Sequence, residues 1–374
     1  MRAPPGTERI SIIPVKTVYV NGKFLAQPIT GVQRYARSVV AAWDDALEEG
    51  RIDRSRFCIT IVAPRDAATE PGYRHIPIIL CRSTGKLFEQ VELPARTCGN
   101  LLFSPYAAAP ILKWRHVVTI HDAGVASTPE QYSRQFRTFY SLVYRSLGLS
   151  CRRIFTDSEF SKQELQHHFS IPTKKLKVVY PGCDHLIGEA PDFAILKRFS
   201  LEPGAFILGV SSRSAIKNFE GLASSWKLLD RQDIKLAIAG KSNTRIFGAK
   251  SGRQDDGITW LGYVSDGELR ALYQSAAVFV YPSFYEGFGY PPLEAMSCGC
   301  PVVVADKSAL PESCGDAALY CDPSSPGNIA ENVRRLLDDA QLSEDLRTKG
   351  KHRAEQFSTR KTGTLLWEEI ESHL

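Results

Sequence analysis

This chain of 374 residues contains no Cys-x-x-Cys pair and no Asp-x-Asp, and no apolar run in it approaches the length of a membrane span. Its nine cysteines, at positions 58, 81, 98, 151, 183, 298, 300, 314 and 321, form an odd set without paired spacing. Neither a disulfide framework nor a zinc site is indicated, and a reducing cytosol is expected. Crossing a bilayer takes roughly 20 apolar residues, and the polar opening Met1-Arg2-Ala3-Pro4-Pro5-Gly6 lacks a signal-peptide core. A soluble or peripheral protein is expected. No Gly-x-Gly-x-x-Gly follows the first strand of either half, which argues against a dinucleotide oxidoreductase.

What the chain does have is a periodic α/β pattern and a split charge. With 43% apolar composition it can bury two cores of ordinary size. Short apolar runs alternate with longer amphipathic stretches, at 17–20, 57–62, 101–103, 117–120, 153–156 and 177–180. After Tyr180 a polar, mixed segment to about residue 200 reads as a linker. The pattern restarts at 206–210 and continues at 235–239, 258–261, 278–281, 301–305 and 318–320. Two doubly wound α/β sheets are expected. Residues 1–186 carry 25 Lys+Arg against 16 Asp+Glu, a net of +9, and the remainder carries a net of −4. The first half is therefore suited to an anionic partner or simply presents a solvated basic surface.

Residues 284–301, Phe-Tyr-Glu-Gly-Phe-Gly-Tyr-Pro-Pro-Leu-Glu-Ala-Met-Ser-Cys-Gly-Cys-Pro, set Glu286 and Glu294 around a glycine-rich loop that runs into a helix. The Pro291-Pro292 pair favours a helix start there, which puts Glu286 in the loop and Glu294 in the first helical turn. Gly287 and Gly289 let a ligand approach the backbone, and the helix start adds partial positive charge. Phosphate suits such a place, although a glutamate near a helix start also serves as a cap or dipole partner. The loop lies between two apolar runs, at the carboxyl end of a strand, where open α/β sheets bind ligands.

These residues resemble the retaining glycosyltransferases of the GT-B fold, in the large family of glycosyl transferases group 1 that includes bacterial mannosyl-, glucosyl- and rhamnosyltransferases; the resemblance is specific over roughly residues 200–325. It implies two Rossmann-like domains facing a central cleft. The expected division is 1–186 for the acceptor side, 187–355 for the nucleotide-sugar side, and 356–374 for a helix crossing back to the first domain. The resemblance puts Glu286 on hydroxyls of the transferred hexose and Glu294 on the ribose diol. Gly287, Phe288 and Gly289 would sit beside sugar and phosphate.

Other positions carry the same resemblance. Lys217, followed by Asn218, would face the diphosphate, with Arg213 as a second cation out of the usual register. The missing Asp-x-Asp fits a metal-free way of meeting that charge, since hard cations want oxygen ligands; no cofactor is expected. His121, directly after an apolar strand, occupies the position that contacts the transferred sugar, and Asp122 would fix its tautomer or cap the next turn. Asp157-Ser158-Glu159-Phe160-Ser161 looks like a family segment and equally like a plain N-cap. Thr30-Gly31 keeps one glycine of a pair that approaches the donor phosphate, and Arg34 reaches either the cleft or solvent. Tyr263 and Val264 match the nucleobase segment, and Lys241 adds a phosphate or ribose contact.

Five arginines, Arg134, Arg137, Arg145, Arg152 and Arg153, are interleaved with Phe136, Phe139, Tyr140, Val143 and Leu147 at helical spacing. The helix either packs on the first domain or lies at an anionic membrane surface. The expected protein is a retaining, metal-independent hexosyltransferase of polysaccharide or glycolipid assembly. It would be cytoplasmic, free or peripheral at the inner face of the membrane, without a nucleic-acid partner. GDP-mannose is the expected donor, because Thr30-Gly31-Val32-Gln33-Arg34-Tyr35 resembles mannosyltransferases of exopolysaccharide assembly. The acceptor would be a saccharide or lipid-diphosphate-linked saccharide. UDP-sugar transferases, a glucan synthase or phosphorylase, and a lectin-like module without turnover are the alternatives.

Overall fold

Val278–Tyr281 and Val302–Ala305 are buried at every position, as continuous apolar runs must be when helices cover both faces of a parallel sheet. The computed structural model describes residues 15–68, 72–210, 215–240, 254–255 and 258–374. The first sheet contains β1 (Lys16–Asn21), β2 (Phe57–Ala63), β3 (Ile78–Leu80), β4 (Leu101–Ser104), β5 (His116–Thr119), β6 (Arg153–Thr156) and β7 (Leu176–Val178). Its order is β3-β2-β1-β4-β5-β6-β7, and every pairing is parallel.

The second sheet contains β8 (Phe206–Val210), β9 (Lys235–Ala239), β10 (Gln254–Asp255), β11 (Ile258–Gly262), β12 (Val278–Tyr281), β13 (Val302–Ala305) and β14 (Leu319–Cys321), in the order β10-β11-β9-β8-β12-β13-β14. Six strands are parallel, and the two-residue β10 pairs antiparallel with β11 at the edge. Each sheet reverses direction beside its first strand, between β1 and β4 and between β8 and β12. At such a switch point the loops leaving the carboxyl ends diverge and leave a crevice for a ligand.

The helices that matter to the crevice are α1 (Gly31–Glu48), α2 (Arg134–Ser150), α3 (Glu159–Phe169), α4 (Phe219–Leu229), α5 (Asp266–Ser275), α6 (Tyr290–Ser297), α7 (Leu310–Cys314) and α8 (Thr359–Glu371). Helix α6 begins at Tyr290, after Gly289 at φ 103°, with the prolines inside its first turn. Glu294 therefore lies one turn into the helix and not in the first turn, as the proline pair suggests in sequence. Positive φ at Gly289 reverses the chain one residue earlier than the prolines require.

The segment expected to be a linker is packed. Cys183, Leu186, Ile195 and Leu196 all belong to the core of the second sheet, whereas Val179 belongs to the core of the first. Helix α8 returns to the first sheet, where Leu366, Trp367 and Ile370 join its core and the Trp43 indole donates to Gly363 O at 2.9 Å. Its N-terminus is tied down by Asp184, which accepts from Thr359 N at 2.9 Å.

Helix α2 divides its apolar residues. Val143 and Leu147 are buried on the first sheet, while Phe136, Phe139, Leu142 and Leu149 are exposed. Of its arginines, Arg134 and Arg145 are exposed. Arg152 and Arg153 do not join that face: Arg153 pairs with Glu369 at 2.6 Å and Arg152 donates to His373 O at 2.6 Å. They lie at the start of β6, beyond the helix end, where α8 and the residues after it arrive.

Candidate functional site

Lys217 follows β8 and Glu286 follows β12, so the two leave neighbouring parallel strands on either side of the second switch point. Lys217 Nζ lies 2.6 Å from Glu286 Oε1 and donates to the Tyr281 hydroxyl at 2.7 Å. The turn between them is fixed by Asn218, at φ 51°, whose side-chain amide donates to Pro282 O and Pro323 O at 3.0 and 2.7 Å. Phe284 N donates to Ile216 O at 2.8 Å, and Glu286 N to Ser308 Oγ at 2.9 Å. The Glu286 loop is thus anchored from three directions.

In the first domain, β5 pairs with β6 in the register Thr119 to Phe155. Continued by two residues, that register sets His121 level with Asp157. His121 Nδ1 stands 2.8 Å from Asp157 Oδ2, and since a carboxylate only accepts, Nδ1 carries the proton. Burial opposes charging the imidazole most strongly, but the charge and hydrogen bond of Asp157, joined by the Asp122 charge and the Pro105 backbone, together raise the pKa above 6.5. Asp157, and not Asp122, therefore fixes the His121 tautomer. Asp122 does the other thing expected of it, accepting from Gly124 N at 2.8 Å in the following turn, and burial raises its carboxyl above the usual range.

Both domains open onto one cavity of about 500 Å³. Glu286, His121, Lys217 and Glu294 line it, as do Gly31, Tyr263 and Val264, and the loop residues Gly287, Phe288 and Gly289 form part of its wall. Arg213 and Lys241 lie outside the described residues. A smaller cavity of about 180 Å³ adjoins it, sharing Asp122, Lys217, Glu286 and Gly287 and walled by Tyr132 and Tyr285. Among the described residues, His121 Nε2, Asp157 Oδ1 and the Tyr290 hydroxyl are buried without a hydrogen-bond partner, and all three residues line the larger cavity. Buried polar atoms are normally paired; these three are sealed from solvent just behind the cavity wall.

At the other end of the cavity Glu294 is buried, and burial pushes its carboxyl up to about 7 against the lowering influence of Arg34 and the Tyr273 hydroxyl. His185 Nε2 is 3.5 Å from Glu294 Oε1. Burial and the Arg34 charge push the imidazole down to about 4, so it meets Glu294 as a neutral ring. Arg34 crosses the cleft to form a bidentate pair with Asp266 at 2.7 and 2.8 Å; of the two places the sequence allows it, the cleft is where it lies.

Sequence reasoning passes over Asp157 as a partner of His121, Arg34 with Asp266, and His185. The first could have been found, because both residues follow adjacent strands at the same offset. The others depend on how the domains face each other, which no local pattern encodes. Among the described residues, no three His, Cys, Asp or Glu side chains stand together as a metal-holding group.

Residues 195–353 match the family described as glycosyl transferases group 1, and residues 95–185 match glycosyltransferase family 4. The chain is 33% identical over 255 residues to O-antigen chain mannosyltransferase B of Escherichia coli, covering 65% of this chain and 67% of that protein. It is 26% identical over 252 residues to the O-antigen chain mannosyltransferase RfbU of Salmonella typhimurium, covering 64% of this chain and 67% of that one. The matched stretch thus spans about two thirds of these relatives. Among solved structures, Anabaena HepE in complex with UDP and glucose superposes with a TM-score of 0.72 at 15% identity, over 96% of this chain and 100% of that one. At that identity the likeness is one of fold, the two-domain GT-B architecture.

Proposed function

We propose that this chain, which belongs to the glycosyl transferases group 1 family, is a retaining mannosyltransferase that moves mannose from GDP-mannose to a saccharide or lipid-linked saccharide acceptor. The observation that carries this reading is the convergence of Glu286, Lys217, His121 and Glu294 on one cavity between the two sheets. The mannosyl donor is supported by the relatives named above, which are mannosyltransferases of O-antigen chains.

The roles follow from chemistry and position. Glu294 accepts from the ribose hydroxyls. The diphosphate lies at the second switch point, where Lys217 and the start of α6 meet its charge. Glu286 holds hydroxyls of the hexose, and His121, whose ring lines the same cavity and is held by Asp157, stands beside the same sugar. As the glycosidic bond breaks, charge develops on the departing phosphate, and a preorganised cation beside it stabilises the transition state more than the ground state. The smaller cavity meets the larger one at Glu286 and Lys217, on the side from which an acceptor hydroxyl reaches the anomeric carbon beside the leaving phosphate. That phosphate takes the hydroxyl's proton, so no metal and no protein nucleophile are required.

The acceptor side includes α2, whose exposed Phe136, Phe139 and Leu142 stand with Arg134 and Arg145. We read this face as a peripheral contact with anionic lipid. No helix among the described residues is long and apolar enough to cross a membrane.

A thermal-shift panel of GDP, UDP, ADP and dTDP tests the donor, because a ligand that binds only the native state stabilises it by about 2.7 kcal/mol at a hundredfold excess over Kd. GDP should give the largest rise in Tm. A larger rise with UDP would replace the mannosyl donor with a UDP-sugar, and no rise with any nucleotide would remove the donor site.

A further inference from the structure

The loop that carries Glu286 is gripped from the opposite domain. Gly287 O accepts from Ser158 Oγ at 2.6 Å and from Ser161 Oγ at 2.9 Å, and both serines are fully buried at the start of α3. A carbonyl offers two lone pairs and a hydroxyl one proton, so this carbonyl is saturated by the first domain. Ser158 also accepts from Ser161 N at 2.9 Å, which makes it the N-cap of α3. Beside it the Glu312 carboxylate, on α7 of the second domain, accepts from Glu159 N at 2.7 Å and Phe160 N at 3.0 Å. Those are amides that a helix start leaves unpaired. On the other side of the loop, a Cβ at residue 287 would stand 2.7 Å from Asp122 Cβ, so only glycine lets the two domains approach this closely.

We propose that Ser158 and Ser161 are positioning residues for the donor loop. Gly287 C=O and Phe288 N–H belong to one planar peptide group. Hydroxyls that fix the carbonyl therefore also fix the direction of the Phe288 amide, and they hold Glu286 one residue away. The loop reaches its working geometry only when the first domain is closed upon it, which couples donor alignment to domain closure. The inference rests on the donor-site reading above.

The two serines separate capping from clasping. Ser158→Gly leaves a residue that helix N-caps tolerate and has no hydroxyl for Gly287 O, and Ser161→Ala removes the second donor without touching the cap. Hydrogen exchange across residues 284–290 is measured on the full chain, together with GDP affinity and turnover of GDP-mannose. In the double variant the loop amides should exchange at least roughly tenfold faster. Turnover should fall by roughly tenfold to a hundredfold, with GDP affinity within about threefold, since Glu294 and Lys217, which meet ribose and diphosphate in the reading above, keep their places. Ser161→Thr, which keeps the hydroxyl, should restore both in the Ser161 single variant.

A merely structural role would lower Tm and weaken GDP binding along with turnover, without rescue by threonine. Unchanged loop exchange in the double variant, or turnover equal to that of the parent, overturns the proposal. The exchange measurement needs no ligand, so it judges the clasp even if the parent binds none of the nucleotides and the donor reading falls.

Discussion

Lys217 Nζ and Glu286 Oε1 stand 2.6 Å apart across the switch point of the second sheet. The side chain proposed to meet the departing phosphate and the one proposed to hold the sugar thus neutralise each other. Neither is left as an uncompensated buried charge.

Lys217→Ala should lower turnover by roughly a hundredfold to a thousandfold, the range seen when one preorganised electrostatic contact is lost. Glu286→Ala should also act mainly on turnover. The double variant should lose less than the product of the two, because each single change strands its partner. Steady-state kinetics at saturating donor measure all three. Parental turnover in Lys217→Ala would remove the lysine from the site.

Nucleotide binding should strengthen as pH rises. The Glu294 carboxyl, ordinarily near 4.5, is pushed up to about 7 by burial. The native state therefore holds this proton more tightly than the unfolded chain, and the stability it contributes is greatest below 4.5 and declines as pH climbs through 7. Ribose hydroxyls donate to the ionised form, so GDP affinity should rise between about pH 6 and 8 with release of a proton on binding. Calorimetry in buffers of different ionisation enthalpy reads both. Glu294→Gln should flatten the profile and Glu294→Ala should weaken binding; a flat profile in the parent would contradict the assignment.

Asp157→Asn should destabilise the fold in a pH-dependent way. Because Asp157 raises the His121 pKa above 6.5, the charged pair contributes stability below 6.5 that is lost as pH rises through the higher native value. The cost should be roughly 1.5 to 3 kcal/mol at about pH 6, the worth of a hydrogen bond to a charged group, and smaller near pH 9. Urea denaturation at the two pH values measures it. Equal costs would mean that His121 is not charged in the native state.

The exposed face of α2 should bind anionic vesicles in flotation assays, more weakly as salt rises, because charges beyond a Debye length of about 8 to 10 Å are screened at physiological salt. Phe139→Ser with Leu142→Ser should reduce flotation. Arg152→Ala should not, since that side chain is engaged with His373. Absence of binding at low salt would remove the membrane contact.

Much of the second domain is legible in the sequence because its parallel strands, buried on both faces, are uninterrupted runs such as Val302–Ala305. Ile78–Leu80 escapes because three partly exposed residues after Pro77 carry no pattern. Glu286, Glu294 and Lys217 are readable because each sits at a fixed distance from a strand end. The clasp of Ser158 and Ser161 on Gly287 is not, since its partners are 129 and 126 residues apart and meet only once two sheets are placed face to face. Ser158 is read in sequence as a family segment or a plain N-cap, and the cap is what the structure shows, but neither reading reaches its partner Gly287. The basic helix misleads in the opposite way: five arginines fall within one stretch of sequence, but Glu369 of α8 takes up Arg153 and His373, just beyond that helix, takes up Arg152.

The most direct test of retaining mannosyl transfer is proton NMR of the product formed from GDP-mannose and an α-mannoside acceptor. Retention requires GDP release and a new α-linked mannose, read from the one-bond carbon–proton coupling at the anomeric centre. A β-linked product would contradict front-side transfer at the Glu286 and Lys217 cleft.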